Sequence, residues 1–218
     1  MTVLIIGASG LIGRHVLEKL LANKYYDTVI SVGRKKLDIN HPKLKQIVCE
    51  LKDLNSCAEE FKANDYFCCL GTTIKIAKSQ DNFKKVDYEA PLALAQIAKQ
   101  HNADGFYVVS AMGASADSSV FYNQVKGQLE NALKALKLKS LYIFQPSLLL
   151  GARKEFRLGE KIFENMKYLP IWFGAFKKYQ PIPAESVAEA MIQAALKKSS
   201  GSHIVTSDQM QPIKSFCS

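Results

Sequence analysis

The sequence has no run of apolar residues as long as the roughly 18 that a membrane-spanning helix needs. Its longest apolar stretch, residues 141–150, is interrupted by polar residues and a proline, which is typical of a buried strand followed by a loop. We also expect no secretory signal peptide, because Met1 leads directly into the strand-like segment Thr2–Ile6 without a basic region. We therefore expect a cytoplasmic protein that is not associated with a membrane.

Cysteines are few and are not arranged as metal ligands or as a disulfide framework. The chain has five of them, an odd number, and Cys68 and Cys69 are adjacent within an apolar run. No group of residues has the spacing of zinc ligands, so no metal site is predicted. Reduced and mostly buried thiols are the simplest interpretation.

The chain is basic, with a formal net charge of +9, but it lacks the patterns with which basic proteins bind nucleic acids. It shows neither a helix-turn-helix pattern nor a series of aromatic residues for base stacking. A positive balance also suits an anionic small-molecule ligand. We expect a small-molecule substrate or a protein partner, no nucleic acid, and either a monomer or a dimer.

Strands and helices alternate along the whole chain. Apolar runs predict strands at residues 2–6, 28–32, 45–49, 66–70, 106–110, 141–145 and 204–206. Helical spacing predicts helices at residues 11–22, 54–61, 91–100, 120–136 and 184–198. This alternation predicts a doubly wound parallel sheet between two helical layers, which is the α/β Rossmann architecture. No linker divides residues 1–218, and residues 151–183 form an insertion on the predicted substrate side.

A glycine-rich turn joins the first predicted strand to the first predicted helix. In a dinucleotide-binding turn, the three glycines allow a tight turn, a close approach to the pyrophosphate and close packing of the helix on the strand. The free N–H groups at the start of the helix then bind the phosphates. The residues predicted to contact the cofactor here are Gly7, Ser9, Gly10, Leu11, Ile12 and Gly13. The alternative is a purely structural turn.

The residues after the second strand distinguish NADP from NAD. An acidic residue there would bind the ribose 2′-hydroxyl, but the sequence continues with Gly33 and then Arg34, Lys35 and Lys36. The guanidinium of Arg34 suits a 2′-phosphate, which predicts NADP(H) rather than NAD(H). The alternative is a solvated basic loop.

Further cofactor contacts are predicted in the loops after the third, fourth and sixth strands. They are Asp53, Leu54, Leu70, Gly71, Thr72 and Pro146. Asp53 is placed to accept a hydrogen bond from the adenine amino group, or alternatively to cap a helix that starts at Leu54. Gly71 would let the backbone approach the ribose.

A serine, a tyrosine and a lysine form a candidate catalytic set. Ser110 ends the fifth predicted strand, and Tyr122 and Lys126 lie four residues apart on one face of the next helix. An ammonium group beside a phenol lowers the phenol's pKa and so suits it to proton transfer at neutral pH. We predict that Tyr122 transfers the proton, Ser110 holds the substrate oxygen and Lys126 also binds the nicotinamide ribose. The alternative is a core tyrosine and a solvated lysine.

Together these residues resemble the short-chain dehydrogenase/reductase superfamily, and within it the atypical subgroup of the Tat-interacting-protein oxidoreductases. The likeness is carried by FCCLGTT at 67–73, VDY at 86–88, SAMGA at 110–114, YNQVKGQLE at 122–130, QPS at 145–147 and GARKEFRLGE at 151–160. The resemblance implies a Rossmann fold, NADP(H) and the catalytic roles assigned above. It departs from the superfamily at Cys69-Leu70-Gly71, which replaces an asparagine-rich motif.

Three functions are compatible with these features. The first is an NADP(H)-dependent oxidoreductase that acts on a carbonyl or an alcohol, and it is favoured because the serine, tyrosine and lysine are all present. The second is a sensor that binds NADP(H) and signals to a protein partner without catalysis. The third is an enzyme related to nucleotide-sugar epimerases, which usually needs a larger C-terminal domain.

The insertion at residues 151–183 generates a first prediction. Aromatic residues crowd into it: Phe156, Phe163, Tyr168, Trp172, Phe173, Phe176 and Tyr179. If they form a lid over the nicotinamide, the segment should lose protection from hydrogen exchange when NADPH is removed. Equal protection with and without NADPH would instead indicate that they only cover the sheet.

Overall fold

The computed structural model describes residues 1–150 and 180–211, and in them a parallel sheet forms the centre of the fold. Its seven strands follow the order β3-β2-β1-β4-β5-β6-β9. The strands are β1 (Thr2–Ile6), β2 (Thr28–Gly33), β3 (Leu44–Val48), β4 (Asp65–Cys68), β5 (Gly105–Val109), β6 (Ser140–Gln145) and β9 (Gly201–Thr206). Two short strands, β7 (Leu149–Leu150) and β8 (Ile182–Pro183), pair separately and in parallel.

Helices connect the strands and cover both faces of the sheet. They are α1 (Leu11–Ala22), α2 (Ile74–Ala77), α3 (Gln80–Lys84), α4 (Ala90–Gln100), α5 (Phe121–Ala135) and α6 (Ala184–Lys197). A 3₁₀ helix spans Leu51–Phe61, a π-helical turn spans Lys85–Glu89 and a second 3₁₀ helix spans Ser207–Met210.

The two faces of the sheet bury two separate cores. Along β1, Leu4 and Ile6 pack with residues of α4 and α5, whereas Val3 and Ile5 pack with residues of α1 and α6. Because both faces are covered, the central strands are mostly apolar on both faces rather than alternating between apolar and polar residues. Each buried leucine or isoleucine side chain contributes about 1.5–3 kcal/mol relative to an exposed one. The predicted three-layer Rossmann architecture is therefore confirmed.

The order of the strands reverses between β1 and β4. Ile5 of β1 lies opposite Ser31 of β2 on one side and opposite Phe67 of β4 on the other. The strands β2 and β3 lie on one side of β1, whereas β4, β5, β6 and β9 lie on its other side. The connections that follow β1 and β4 therefore run in opposite directions, which opens a crevice at the carboxyl ends of these two strands. The glycine turn after β1 and the loop after β4 both end at this crevice.

Most strands and helices begin and end within a few residues of the predicted positions, and the differences have local causes. The last strand starts at Gly201 rather than 204, because it pairs with β6 from Ser140 onward. The fourth strand ends at Cys68, although the Cys69 N–H still donates to the Ile6 carbonyl at 2.9 Å. The pattern analysis did not predict the two short helices α2 and α3.

The 3₁₀ helix excludes one of the two roles considered for Asp53. The helix begins at Leu51 with Glu50 as its N-cap, so Asp53 lies in the first turn and does not cap a helix starting at Leu54. The start at Leu51 could not be predicted from apolar spacing, because a 3₁₀ turn has no 3.6-residue apolar period.

Most of the predicted insertion lies outside the described residues, as do all seven of its aromatic residues. At its end, Ile182 is buried in the core beside α1 and α6. Within residues 1–150 and 180–211, no helix is both long enough and apolar enough to span a bilayer.

Candidate functional site

The glycine turn brings three backbone segments closer together than side chains would permit. Gly7 has a φ of +84°, and a Cβ there would come within 2.6 Å of the Cys69 carbonyl oxygen. A Cβ at Gly13 would overlap the Gly7 carbonyl oxygen. The Gly10 N–H donates to that same carbonyl at 3.0 Å, which closes the turn. The spacing of the three glycines is thus a requirement of this geometry.

Helix α1 begins at the turn without a side-chain cap. Its N-cap is Gly10, and within residues 1–150 and 180–211 no side chain accepts a hydrogen bond from the first-turn N–H groups, which belong to Leu11, Ile12 and Gly13. Such N–H groups and the positive end of the helix dipole suit the pyrophosphate of a dinucleotide. Ser9 is exposed beside them. This cradle of backbone donors fits the predicted cofactor.

Arg34 follows directly on the carboxyl end of β2. Its side chain is exposed, and within the described part of the chain no carboxylate lies within 4.0 Å of it. Asp53 is exposed in the 3₁₀ helix after β3, whereas the neighbouring Leu54 is 1% exposed and packs in the core. Asp53 therefore presents its side chain to solvent, whereas Leu54 does not.

Two further loops converge on the crevice. After β4, Gly71 is exposed and the Thr72 N–H donates to Asp87 Oδ2 at 2.8 Å. After β6, Pro146 is buried, and its carbonyl accepts a hydrogen bond from the Met112 N–H at 3.0 Å. The second contact ties the loop after β6 to the loop after β5.

Lys126 is buried in helix α5 and forms an ion pair. Its Nζ lies 2.7 Å from Asp87 Oδ1, and the two side chains are 3% and 1% exposed. Burial alone would lower the pKa of Lys126, but the charges of Asp87 and Tyr122 outweigh it and raise that pKa. Lys126 is therefore an ammonium at neutral pH, and its charge acts on both groups.

Ser110 donates its hydroxyl hydrogen to a buried carboxylate. Its Oγ lies 2.5 Å from Glu130 Oε1, and Gln145 Nε2 donates to the two oxygens of Glu130 at 2.9 and 3.0 Å. Ser110 is therefore the donor and the carboxylate oxygen is the acceptor. The bond to Glu130 does not use the lone pairs of Ser110 Oγ. The predicted donation of the Ser110 hydroxyl to a substrate oxygen would require the bond to Glu130 to break.

Tyr122 lies in the first turn of α5, half-buried, one turn before Lys126. Its ring packs against Phe83 of α3 with 5.6 Å between the ring centroids. The loop between β5 and α5 also contacts the first turn of this helix, where the Ser115 N–H donates to the Asn123 carbonyl at 3.1 Å. These contacts hold the tyrosine near the carboxyl edge of the sheet.

The structure thus adds three polar residues that the sequence analysis did not assign to the site: Asp87, Glu130 and Gln145. Signals for all three were present. Glu130 follows Lys126 by four residues and so shares its helix face, whereas Asp87 and Gln145 lie in the VDY and QPS stretches of the family resemblance. No spacing rule connects Asp87 to Lys126 or Gln145 to Glu130, because each pair comes from different elements.

Comparison with known proteins agrees with this geometry. A model of the NAD(P)H-binding family matches residues 7–198. Protein HTATIP2 of Rattus norvegicus is 33% identical over 208 residues, 92% of this chain and 83% of that protein. Protein FMP52-1, mitochondrial, of Scheffersomyces stipitis is 34% identical over 203 residues, 89% of this chain and 88% of that protein. These matches confirm the resemblance predicted from the sequence.

Solved structures share the fold at low sequence identity. MoeE5 in complex with UDP-glucuronic acid and NAD superposes with a TM-score of 0.72 at 17% identity, covering 94% of this chain and 75% of that one. The UDP-glucose 4-epimerase of Thermotoga maritima, solved with UDP-glucose, gives 0.72 at 18% identity, covering 94% and 77%. At these identities the likeness concerns the fold alone.

The expected cytoplasmic location is contradicted by the relatives. The matching proteins of Scheffersomyces stipitis, Debaryomyces hansenii and Candida albicans are all named as mitochondrial. The prediction was wrong because it rested only on the pattern of secretory signal peptides, which does not bear on a mitochondrial location.

The packing of α5 gives a prediction for Gly127. A Cβ at this position would overlap the backbone of Ser115 and Ala116, which cannot yield as a flexible side chain would. We expect Gly127→Ala to lower the free energy of unfolding by about 1–3 kcal/mol, despite the better helix propensity of alanine. Chemical denaturation measures the change.

The matched control is Gly33→Ala, because the nearest atom to a Cβ there is the Lys35 carbonyl oxygen at an ordinary 3.6 Å. We expect the control to change stability by no more than about 0.5 kcal/mol. Equal effects of the two substitutions would contradict the packing argument.

Proposed function

The chain belongs to the NAD(P)H-binding family, and we propose that it is an NADP(H)-dependent oxidoreductase that interconverts a carbonyl and an alcohol. The observation that carries the proposal is the pairing of Tyr122 with a buried, protonated Lys126 one helical turn away. Both lie on α5, beside the crevice that the glycine turn opens. A protein that only binds a dinucleotide has no need of this pair.

The preference for NADP(H) rests on the charge at the end of β2. Arg34 is exposed there and makes no ion pair with the described carboxylates, so its guanidinium is free to receive an anion. Lys35 and Lys36 follow it and are also exposed. A planar guanidinium forms paired hydrogen bonds with a phosphate, which the 2′-phosphate of NADP supplies and NAD lacks.

When bound, the nicotinamide supplies hydride transfer to or from the substrate carbon. Tyr122 moves the proton at the substrate oxygen, because the neighbouring Lys126 ammonium favours the phenolate. With its hydroxyl hydrogen donated to Glu130, Ser110 accepts at Oγ a hydrogen bond from the hydroxyl group of an alcohol substrate. Because Lys126 is buried, water does not screen the charge of its ammonium group.

One observation supports the alternative of a non-catalytic NADP(H) sensor. The Ser110 hydroxyl donates to Glu130 and is thus not directed at a substrate oxygen, as a reductase of the predicted type would require. The epimerase alternative has weaker support, because the likeness to the UDP-glucose 4-epimerase of Thermotoga maritima extends to the fold alone.

The cofactor preference is tested with Arg34→Ala. Wild-type protein should bind NADPH more tightly than NADH, and the substitution should remove most of that preference. Loss of a charge-assisted pair weakens NADPH binding by about tenfold to a hundredfold, with NADH affinity little changed. Isothermal titration calorimetry with each nucleotide measures both effects.

Lys62→Ala is the matched control, since it removes one exposed positive charge at the end of the 3₁₀ helix, near the start of β4. It should keep the preference of the wild type. Equal wild-type affinities for NADPH and NADH would exclude the role of Arg34.

The proton-transfer role is tested with Tyr122→Phe. This substitution removes only the phenolic O–H, so it should abolish NADPH oxidation with any carbonyl that the wild type reduces and leave NADPH affinity nearly unchanged. A panel of aldehydes and ketones, followed by absorbance of NADPH, provides the assay. Tyr25→Phe makes the same chemical change at an exposed residue far from the crevice and should retain turnover.

Turnover by Tyr122→Phe close to that of the wild type would sink the proposed proton transfer. A wild type that oxidises NADPH with no member of the panel, but binds a protein partner according to the redox state of the nucleotide, would favour the sensor.

A further inference from the structure

The ion pair between Asp87 and Lys126 is more deeply buried than an ordinary structural salt bridge. The side chains are 1% and 3% exposed, and Asp87 Oδ1 lies 2.7 Å from Lys126 Nζ. Removing both charges from water is costly, and apolar residues of similar size often stabilise a fold as well or better. Stability alone therefore does not account for a charged pair at this position.

Asp87 connects two parts of the candidate site. Its other oxygen, Oδ2, accepts a hydrogen bond from the Thr72 N–H at 2.8 Å, in the loop that follows β4. The residue lies in the π-helical turn Lys85–Glu89, between α3 and α4. Such turns are rare and occur often at functional sites, because they displace a side chain from the regular helical path.

We propose that Asp87 is a positioning residue that holds the Lys126 ammonium protonated and in place for Tyr122. The proposal rests on the proposed function, since it assigns Lys126 a partner in the proton transfer by Tyr122. Asp87 acts only through Lys126 and through the Thr72 backbone.

Among the groups around Lys126, Asp87 makes the largest contribution against the effect of burial on its pKa. Tyr122 faces Lys126 from the same helix and Cys68 faces it from β4. Burial raises the pKa of the Cys68 thiol to about 12, so it is neutral at physiological pH. Among the described residues, Asp87 supplies the only carboxylate within 4.0 Å of Lys126 Nζ. Without it, burial would shift Lys126 toward the neutral amine.

The experiment compares wild type with Asp87→Asn in the full chain. Proteins labelled with ¹³C at lysine Cε are titrated by NMR, with the Lys126 signal assigned by its loss in Lys126→Arg. Wild-type Lys126 should show no transition below its ordinary value of 10.5. In Asp87→Asn the midpoint should fall below that value by about one pH unit or more, because burial then acts without the charge of Asp87.

The pH dependence of kcat/KM for carbonyl reduction supplies a second measurement. In Asp87→Asn the rate should fall at the same lowered pH at which Lys126 loses its proton, and Asp87→Glu should restore the wild-type profile. Asp81→Asn, which removes an exposed carboxylate from α3, should leave both the profile and the Lys126 titration unchanged.

An unshifted Lys126 titration in Asp87→Asn overturns the proposal. The NMR titration needs no turnover. A chain that reduces no carbonyl would therefore count against the proposed function, but the titration would still test the role of Asp87. If Asp87→Asn does not fold, the double variant Asp87→Asn/Lys126→Met decides. Folding of the double variant supports compensation of a buried charge, and its failure to fold shows that Asp87 serves the fold independently of Lys126.

Discussion

The close approach of three backbone segments between β1 and β4 is the constraint on which the site depends. Gly7 lies against the Cys69 carbonyl, and Gly13 lies against the Gly7 carbonyl, at distances that exclude a methyl group. This contact aims the uncapped end of α1 at the crevice where the strand order reverses. The backbone donors for a pyrophosphate follow from it, and side chains only refine which dinucleotide is accepted.

Around this cradle, two buried carboxylates control the polar side chains of the candidate catalytic set. Asp87 holds Lys126, and Glu130 holds the hydroxyl hydrogen of Ser110. Both carboxylates are also satisfied by neutral donors, the Thr72 N–H for Asp87 and the Gln145 amide for Glu130. Buried polar groups that are paired in this way have few alternative arrangements, which favours a single geometry of these side chains.

Much of the fold could be predicted from the sequence, because its layers depend on local patterns. Apolar runs marked β1, β2 and β6 closely, and helical spacing marked α1 within its observed bounds. Elements without a regular apolar period were missed, namely the short helices α2 and α3 and the π-helical turn, and the 3₁₀ helix was predicted to start at Leu54 rather than at Leu51. Their shapes follow from packing against the rest of the chain rather than from their own residues.

For the site, the sequence by itself determined the residue types and the helix face on which they lie. The glycine spacing, the basic residue after β2, and Tyr122 four residues before Lys126 all depend on distances along one segment. Only the tertiary structure decided how these residues are paired, because Asp87, Glu130 and Gln145 meet their partners across separate elements. A hydrogen bond or an ion pair between distant segments depends on how the helices pack on the sheet, and no sequence period encodes that packing.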